Sequence, residues 1–309
     1  MRFPPRSSVS SVVALLTLLG PQPLRAQTPT VQPPTAAELK AKFEHRLQEI
    51  SSGLDGVMGY AVVDLTSGER FGHLEHQVFP TASTIKLAIV YELFKRADEG
   101  TVDLEQKITL DRAKAVGGSG VLFELGTPTL SVRDYATLMV VLSDNTATNV
   151  LIDLLGMDRI TARMQGLGLA ETKLRRHMID LAAAARGDEN VSTPDEIARL
   201  LEILNRGKGL SAAGRDQAIS LLEKPKTSAL LRGLPPGVKA ANKPGELEGV
   251  RVDAGLVFAT NRPYILTVMT TYLKNDGDGE RAIEQASRAA YDYFSRLGAG
   301  GKYGRQIGR

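Results

Sequence analysis

The order of patterns along the chain narrows its fold more than any single motif. Gly56 to Leu65 is rich in β-branched and aromatic residues, Thr66-Ser67-Gly68 makes a turn, and Glu69 to Leu74 returns as the second arm of a hairpin. Residues 83 to about 222 then carry mainly helical periodicity, as in Val132 to Leu142, Asn145 to Leu155 and Pro194 to Leu204. Ser192 and Thr193 offer caps to the last of these, and Pro194 suits a first helical position. After Pro235-Pro236-Gly237 strand character resumes in Val252 to Ala259 and Tyr264 to Tyr272, with Asn261-Arg262-Pro263 as the turn between them. Strands joined by short turns pair antiparallel. Strands from the two ends of the chain must share one sheet to bury their apolar faces, so the helical middle is an insertion. Leu39, Phe43, Leu47 and Ile50 fall on one helical face of Ala36 to Ile50, and Gly279 to Leu297 reads as a closing helix. The expected fold is a two-domain α/β protein. An antiparallel sheet flanked by terminal helices (residues 36–80 and 225–297) receives an inserted all-α domain (residues 81–224).

The ends of the chain read differently. Residues 1–26 have the layout of a secretory signal peptide: Arg2 and Arg6, an apolar run from Val12 to Leu19, and the small residue Ala26. That run is short for a membrane span. Leu24 fits the small-x-small rule poorly, so the cleavage position stays open. Cleaved or retained, such a segment puts the body outside the cytoplasm, and a periplasmic or secreted protein is expected, with no stable membrane span in the mature chain. Residues 27–35 (QTPTVQPPT) form a Pro-rich linker, and residues 298–309 a Gly-rich, basic, flexible tail.

Composition excludes several function classes. With 42% hydrophobic and 24% charged residues, wholesale disorder is ruled out. Arg2, Arg6 and Arg25 are the only charges in residues 1–26, and beyond them 35 basic residues balance 35 acidic ones. That neutrality argues against a nucleic-acid partner. The absence of cysteine removes disulfides, zinc–thiolate sites and cysteine nucleophiles, and four histidines leave little for a metal site. No sequence feature calls for a partner chain, so a monomer is expected.

GxSxG, HExxH, Walker A and GxGxxG signatures are absent. Present instead is Ser83-Thr84-Ile85-Lys86, at the start of an apolar helix. Three residues is nearly one turn, so the serine and the lysine project from the same face. A serine hydroxyl is a weak nucleophile until a neighbouring amine, itself depressed in pKa, takes its proton. On its own the tetrapeptide is equally a serine N-cap. Sixty residues on, Ser143-Asp144-Asn145 lies between two apolar helical runs, and a hundred residues beyond Ser143 comes Lys243-Pro244-Gly245, just before a strand.

S-x-x-K, S-D-N and K-x-G in this order resemble the three signatures of class A β-lactamases and the related penicillin-binding serine hydrolases. The flanks PTASTIKLAIVYELF and VLSDNTATNVLI agree, and the resemblance runs from about Ala36 to Leu297. It implies that Ser83 is the acyl-accepting nucleophile, Lys86 its general-base partner, and Ser143 a proton relay to the leaving nitrogen. Asn145 would bind the substrate's amide side chain, and Lys243 the substrate carboxylate. The oxyanion hole would be the backbone N–H groups of Ser83 and Glu246. Gly245 would border the substrate, and Arg251 would add a second cation for the carboxylate. Asp144 is read as structural, and Asp253 as either a structural hydrogen-bonding group or an orienter of a nearby cation. No cofactor or metal is implied.

Two departures bear on function. Pro244 lacks the hydroxyl that usually binds the carboxylate and lacks a backbone donor, which only an edge strand tolerates. The loop before Pro194 carries no carboxylate where class A enzymes hold their deacylating water. Counting forward from Thr172-Lys173-Leu174-Arg175-Arg176 puts Met178 and Ala182 at the Glu and Asn positions; counting back from Ser192-Thr193-Pro194 puts His177 at the Glu position. Asp180 is the nearest acid, either a displaced base or a loop cap. Arg176 and Asn190 are placed to pin the two ends of the loop. Three functions follow: a β-lactam-opening acyl-hydrolase with slow deacylation, a D-alanyl-D-alanine carboxypeptidase acting on peptidoglycan peptides, and a non-catalytic or esterase relative on the same fold.

Overall fold

The computed structural model of the chain describes residues 34–306, together with Met1. Residues 2–26 of the expected signal segment lie outside the described residues. The elements are α1 (Pro34–Ser52), β1 (Val57–Asp64), β2 (Arg70–His73), β3 (Phe79–Pro80), a 3₁₀ turn (Ala82–Ile85), α2 (Lys86–Asp98), β4 (Lys107–Thr109) and β5 (Thr129–Ser131). Then come α3 (Val132–Val141), α4 (Asn145–Leu155), α5 (Met157–Gly166), α6 (Leu181–Ala185), β6 (Val191–Ser192), α7 (Pro194–Arg206), α8 (Ala212–Glu223) and α9 (Ala229–Arg232). Finally β7 (Ala240–Leu247), β8 (Val250–Val257), β9 (Tyr264–Thr271) and α10 (Asp276–Ala299) close the chain.

Strands from both ends of the chain meet in one five-stranded antiparallel sheet of order β2-β1-β9-β8-β7. Its two faces sort alternate residues into different cores, as a pleated strand must. On β1, Tyr60 and Val62 join Phe43, Leu47 and Phe294 on the side of the terminal helices, whereas Ala61 and Val63 join the core of the helical insert. Burial on both faces explains why β1 reads as a near-continuous apolar run. Phe43 stacks on Tyr293 at 4.5 Å between ring centroids, which locks α1 to α10. In the insert, α2 is buried nearly all round, with Leu87, Ile89, Val90 and Leu93 fully inaccessible. The turn that precedes it is therefore rigidly placed.

Several boundaries move. α1 begins at Pro34, inside the expected linker, with proline in the first helical turn where its missing N–H costs nothing. α10 continues through Ala299, and Gly300 bridges to Gln306, so most of the expected tail is ordered. Lys243-Pro244-Gly245 lies within β7 and not before it; proline and glycine masked a strand whose position at the sheet edge tolerates them. Among the described residues, no helix is long and apolar enough to cross a membrane.

Candidate active site

Three elements converge on one point. The first is the turn Ala82–Ile85, where Ala82 takes the left-handed conformation (φ +47°) and delivers Ser83 just ahead of α2. The second is the α3–α4 junction. Ser143 is also left-handed (φ +53°). Asp144 caps α4 by accepting from Ala147 N–H at 2.8 Å, and its other oxygen accepts from Val121 and Leu122 N–H at 2.7 and 2.9 Å. This is the structural role the sequence suggested. The third is β7, which passes so near the turn that a Cβ on Gly245 would lie 2.8 Å from Ser83 N. Thr84 Oγ1 ties turn to strand by donating to Lys243 O at 3.2 Å.

Four side chains meet at the Ser143 hydroxyl. It donates to Ser83 Oγ at 2.9 Å and accepts from Lys86 Nζ at 3.0 Å and from Lys243 Nζ at 3.1 Å. Lys86 also donates to Ser143 O at 2.7 Å and to Asn145 Oδ1 at 3.4 Å, and Lys243 to Pro244 O at 2.8 Å. Both amines are inaccessible, at 0% and 1% exposure, so their environment sets their charge. Burial, and then the nearby Lys243 charge, holds Lys86 well below the usual lysine range despite the Asp144 carboxylate. Lys243 is pushed down to about 7, chiefly by burial. A hydroxyl hydrogen rotates freely, so the three atoms Ser83 Oγ, Ser143 Oγ and Lys86 Nζ can pass a proton in either direction. Lys86 thus reaches Ser83 through Ser143. Asn145 turns its amide nitrogen to Gly117 O at 3.0 Å. Glu246 follows Gly245 on β7, opposite Arg251, with its side chain in solvent.

The loop before α7 is firmly held. Arg176 pairs with Glu189 at 2.6 Å, and Asn190 Oδ1 accepts from Arg175 and Arg176 N–H at 2.7 and 3.1 Å, so the two ends are pinned. Met178 is buried against α4, where Asn149 grips its backbone by accepting from Met178 N–H (2.8 Å) and donating to Met178 O (3.2 Å). His177 turns to Asp153 at 2.9 Å. Asp180 caps α6 by accepting from Ala183 N–H at 2.9 Å, and Ala182 is exposed. Asp180 Oδ1 is the carboxylate oxygen engaged in the cap.

Arg251 requires a correction. Its guanidinium donates to Leu247 O and Val250 O at 2.8 and 2.9 Å and pairs with Asp276 at 3.1 Å and Glu280 at 3.4 Å. The acidic first turn of α10 and the carbonyls of the β7–β8 turn thus hold it, and the structure does not bring it to Ser83. The cation near Lys243 is instead Lys226, which sequence reasoning missed. Its amine donates to Leu222 O at 2.6 Å and Asn242 Oδ1 at 3.5 Å and is lowered to about 8, mainly by burial. Asn242 in turn donates to Ser228 Oγ (2.8 Å) and to the buried Asp253 (2.9 Å). Burial holds the Asp253 carboxyl above the usual range, and its carboxylate also accepts from Leu230 N–H at 3.0 Å.

The family model described as "Beta-lactamase enzyme family" matches residues 42–294. The chain belongs to this family. Beta-lactamase AST-1 of Nocardia asteroides is 29% identical over 272 residues, covering 86% of this chain and 88% of that protein. A beta-lactamase from Sphaerobacter thermophilus superposes with a TM-score of 0.75 at 30% identity, over 81% of this chain and 95% of that one. PBP-A does so with a TM-score of 0.76 at 31% identity, over 82% of this chain and 96% of that one; a mutant of PBP-A has been solved as an acyl-enzyme complex with penicillin G. The expected α/β fold and the resemblance both stand. Within this β-lactamase family fold, Lys226 and Asn149 escaped the sequence reading because neither sits in a short motif. Their one sequence signal is position: Asn149 lies one turn beyond Asn145 on the same helix face.

Proposed function

We propose that this chain opens β-lactam rings by acylating Ser83, and that it releases the opened product slowly. The observation that carries the reading is the Ser143 hydroxyl, within hydrogen-bond reach of Ser83, Lys86 and Lys243 at once. Lys86, depressed by burial, takes the Ser83 proton through Ser143 as Ser83 Oγ bonds to the lactam carbonyl carbon. The tetrahedral oxyanion is met by the backbone N–H groups of Ser83 and Glu246, and the close approach of β7 at Gly245 supports this pairing. The carbon–nitrogen bond then breaks, and the nitrogen takes the proton from Ser143, which is resupplied by Lys86. Lys243, with Lys226 nearby, attracts the substrate carboxylate, and Asn145 binds the side-chain amide. Hydrolysis of the acyl-ester needs a placed and activated water. Met178 supplies no base, and Asp180 gives one carboxylate oxygen to the cap of α6, so the ester is expected to persist.

Met178 also favours a second reading, a D-alanyl-D-alanine carboxypeptidase, in which the same serine cluster acts on peptidoglycan peptides. The pattern of residues 1–26 supports a periplasmic or secreted location for either. We retain the division into a sheet domain (36–80, 225–297) and a helical insert (81–224), whose junction carries Ser83. A fluorescent penicillin tests the reading. The wild type labels and Ser83→Ala does not; equal labelling of the two would remove Ser83 from the chemistry.

A further inference from the structure

A cleft of about 630 Å³ opens between the C-terminal half of α2 and α5. None of its lining residues takes part in the proposed acylation, and Arg96 follows Lys86 along α2 by about 15 Å. Helices that pack closely fill the space between them with interdigitated side chains. Here small residues leave it open. Ala162 and Gly166 stand about one turn apart on α5, and a Cβ on Gly166 would meet nothing within 4 Å. Gly209, left-handed at φ +80°, borders another wall. A Cβ there would lie 2.6 Å from the Tyr91 hydroxyl, so a side chain would crowd that end.

The charges around the cleft do not balance. Lys95, Arg96, Arg159 and Arg163 face only two carboxylates, Glu92 and Glu99. Both carboxylates are paired. Arg163 Nε donates to the buried Glu92 at 2.7 Å, and Glu99 pairs with Arg163 at 3.3 Å and with Lys95 at 3.2 Å. Two guanidinium groups are left over. Arg96 donates to Thr101 Oγ1 at 3.0 Å and to Leu155 O at 3.3 Å, both neutral acceptors. Leu155 ends α4, and a helix C-terminus offers only about half a unit of negative charge. Arg159 is exposed, and among the described residues its side chain makes neither an ion pair nor a hydrogen bond. The surplus is local, because 35 acidic residues balance 35 basic ones beyond residue 26.

We propose that this cleft is a second ligand site, which binds a small organic phosphate monoester through Arg96 and Arg159. A monoester carries two charges on one group, which suits two guanidinium groups that share a cleft. Its organic part lies against Ala162 and Leu167. Arg96 is already fixed by Thr101 and Leu155, so less freedom is lost when the ligand arrives. The inference goes beyond the chemistry at Ser83 and does not depend on it.

The test is isothermal titration of the full chain with phenyl phosphate and with inorganic phosphate, at fixed ionic strength and about pH 8, where both are dianions. Wild type, Arg159→Gln and Ala162→Trp are compared. Arg159 makes no side-chain contact that glutamine would lose, and Ala162 is exposed, so both variants are expected to melt with wild type and to acylate Ser83 at the wild-type rate. Phenyl phosphate should bind wild type with one site, about tenfold tighter than inorganic phosphate. Arg159→Gln should weaken it by at least about tenfold, and Ala162→Trp, which fills the cleft, should abolish binding. Equal affinity for the ester and for inorganic phosphate would mean an adventitious ion only and overturn the proposal. Equal affinity of wild type and Arg159→Gln, or the absence of binding to wild type, would overturn it as well.

Discussion

Replacing Gly245 with alanine is expected to damage acylation through backbone geometry alone. The added Cβ would sit 2.7 Å from Thr81 O and 2.8 Å from both Ser83 N and Thr84 N, where ordinary contact begins at 3.4 Å. All three neighbours are backbone atoms, so no side chain can rotate away. β7 cannot slide freely, because it is laddered to β8 from Ala240 to Leu247. Nor can the turn, which runs straight into the buried helix α2. Turn and strand must part by several tenths of an ångström. Overpacking of this kind costs about 1–3 kcal/mol, and the melting temperature should drop by roughly 2–10 °C. The catalytic loss should be larger, because the proposed oxyanion hole needs Ser83 N–H and Glu246 N–H to face one oxygen. Misplacement on this scale costs about 10²-fold in rate. Stopped-flow acylation by a fluorescent penicillin, with a thermal melt on the same sample, reads both effects. A Gly245→Ala protein that acylates and melts like wild type would refute the close approach of β7 to the Ser83 turn.

Other perturbations separate the remaining roles. Met178→Glu puts a carboxylate where Asn149 already fixes the backbone, and should shorten the life of the acyl-enzyme by about 10²-fold with little change in the acylation rate. An unchanged adduct lifetime would mean that the apolar residue is not what stalls hydrolysis. Lys243, pushed down to about 7 in the free protein, carries its charge below that pH and loses it above. The value of kcat/KM for an anionic β-lactam should therefore fall as pH rises through about 7. Lys243→Arg, charged at every accessible pH, should remove this alkaline limb; a limb unmoved in the variant would assign it to another group.

Much of this architecture was legible in the sequence because the patterns that encode it are local. The strand–helix–strand order gave the shared sheet, and α4 begins and ends where Asn145 and Leu155 mark it. The four residues of the proposed catalytic cluster sit in short motifs, so each announced itself. What escaped was set by tertiary contacts. Arg251 looked available as a cation, but nothing in its local sequence says that the acidic first turn of α10 folds against it. Lys226 lies in a featureless connection and matters only because Asn242 of β7 comes beside it. Proline and glycine hid β7 itself, since the outer side of an edge strand has no partner that Pro244 must donate to. Ile179 holds a left-handed backbone (φ +62°) between two anchors, Asn149 on Met178 and the Asp180 cap, neither of which a residue-by-residue propensity can see.

The most direct measurement is intact-protein mass spectrometry of the protein mixed with benzylpenicillin, followed from seconds to hours and mapped by proteolysis. The expected result is a single adduct of the drug's full mass on Ser83 that persists for hours, formed by a protein whose cluster acylates and whose loop supplies no base. An adduct that vanishes within seconds while hydrolysed drug accumulates would contradict the claim that this loop lacks a working base. An adduct on any residue other than Ser83 would contradict the placement of the nucleophile.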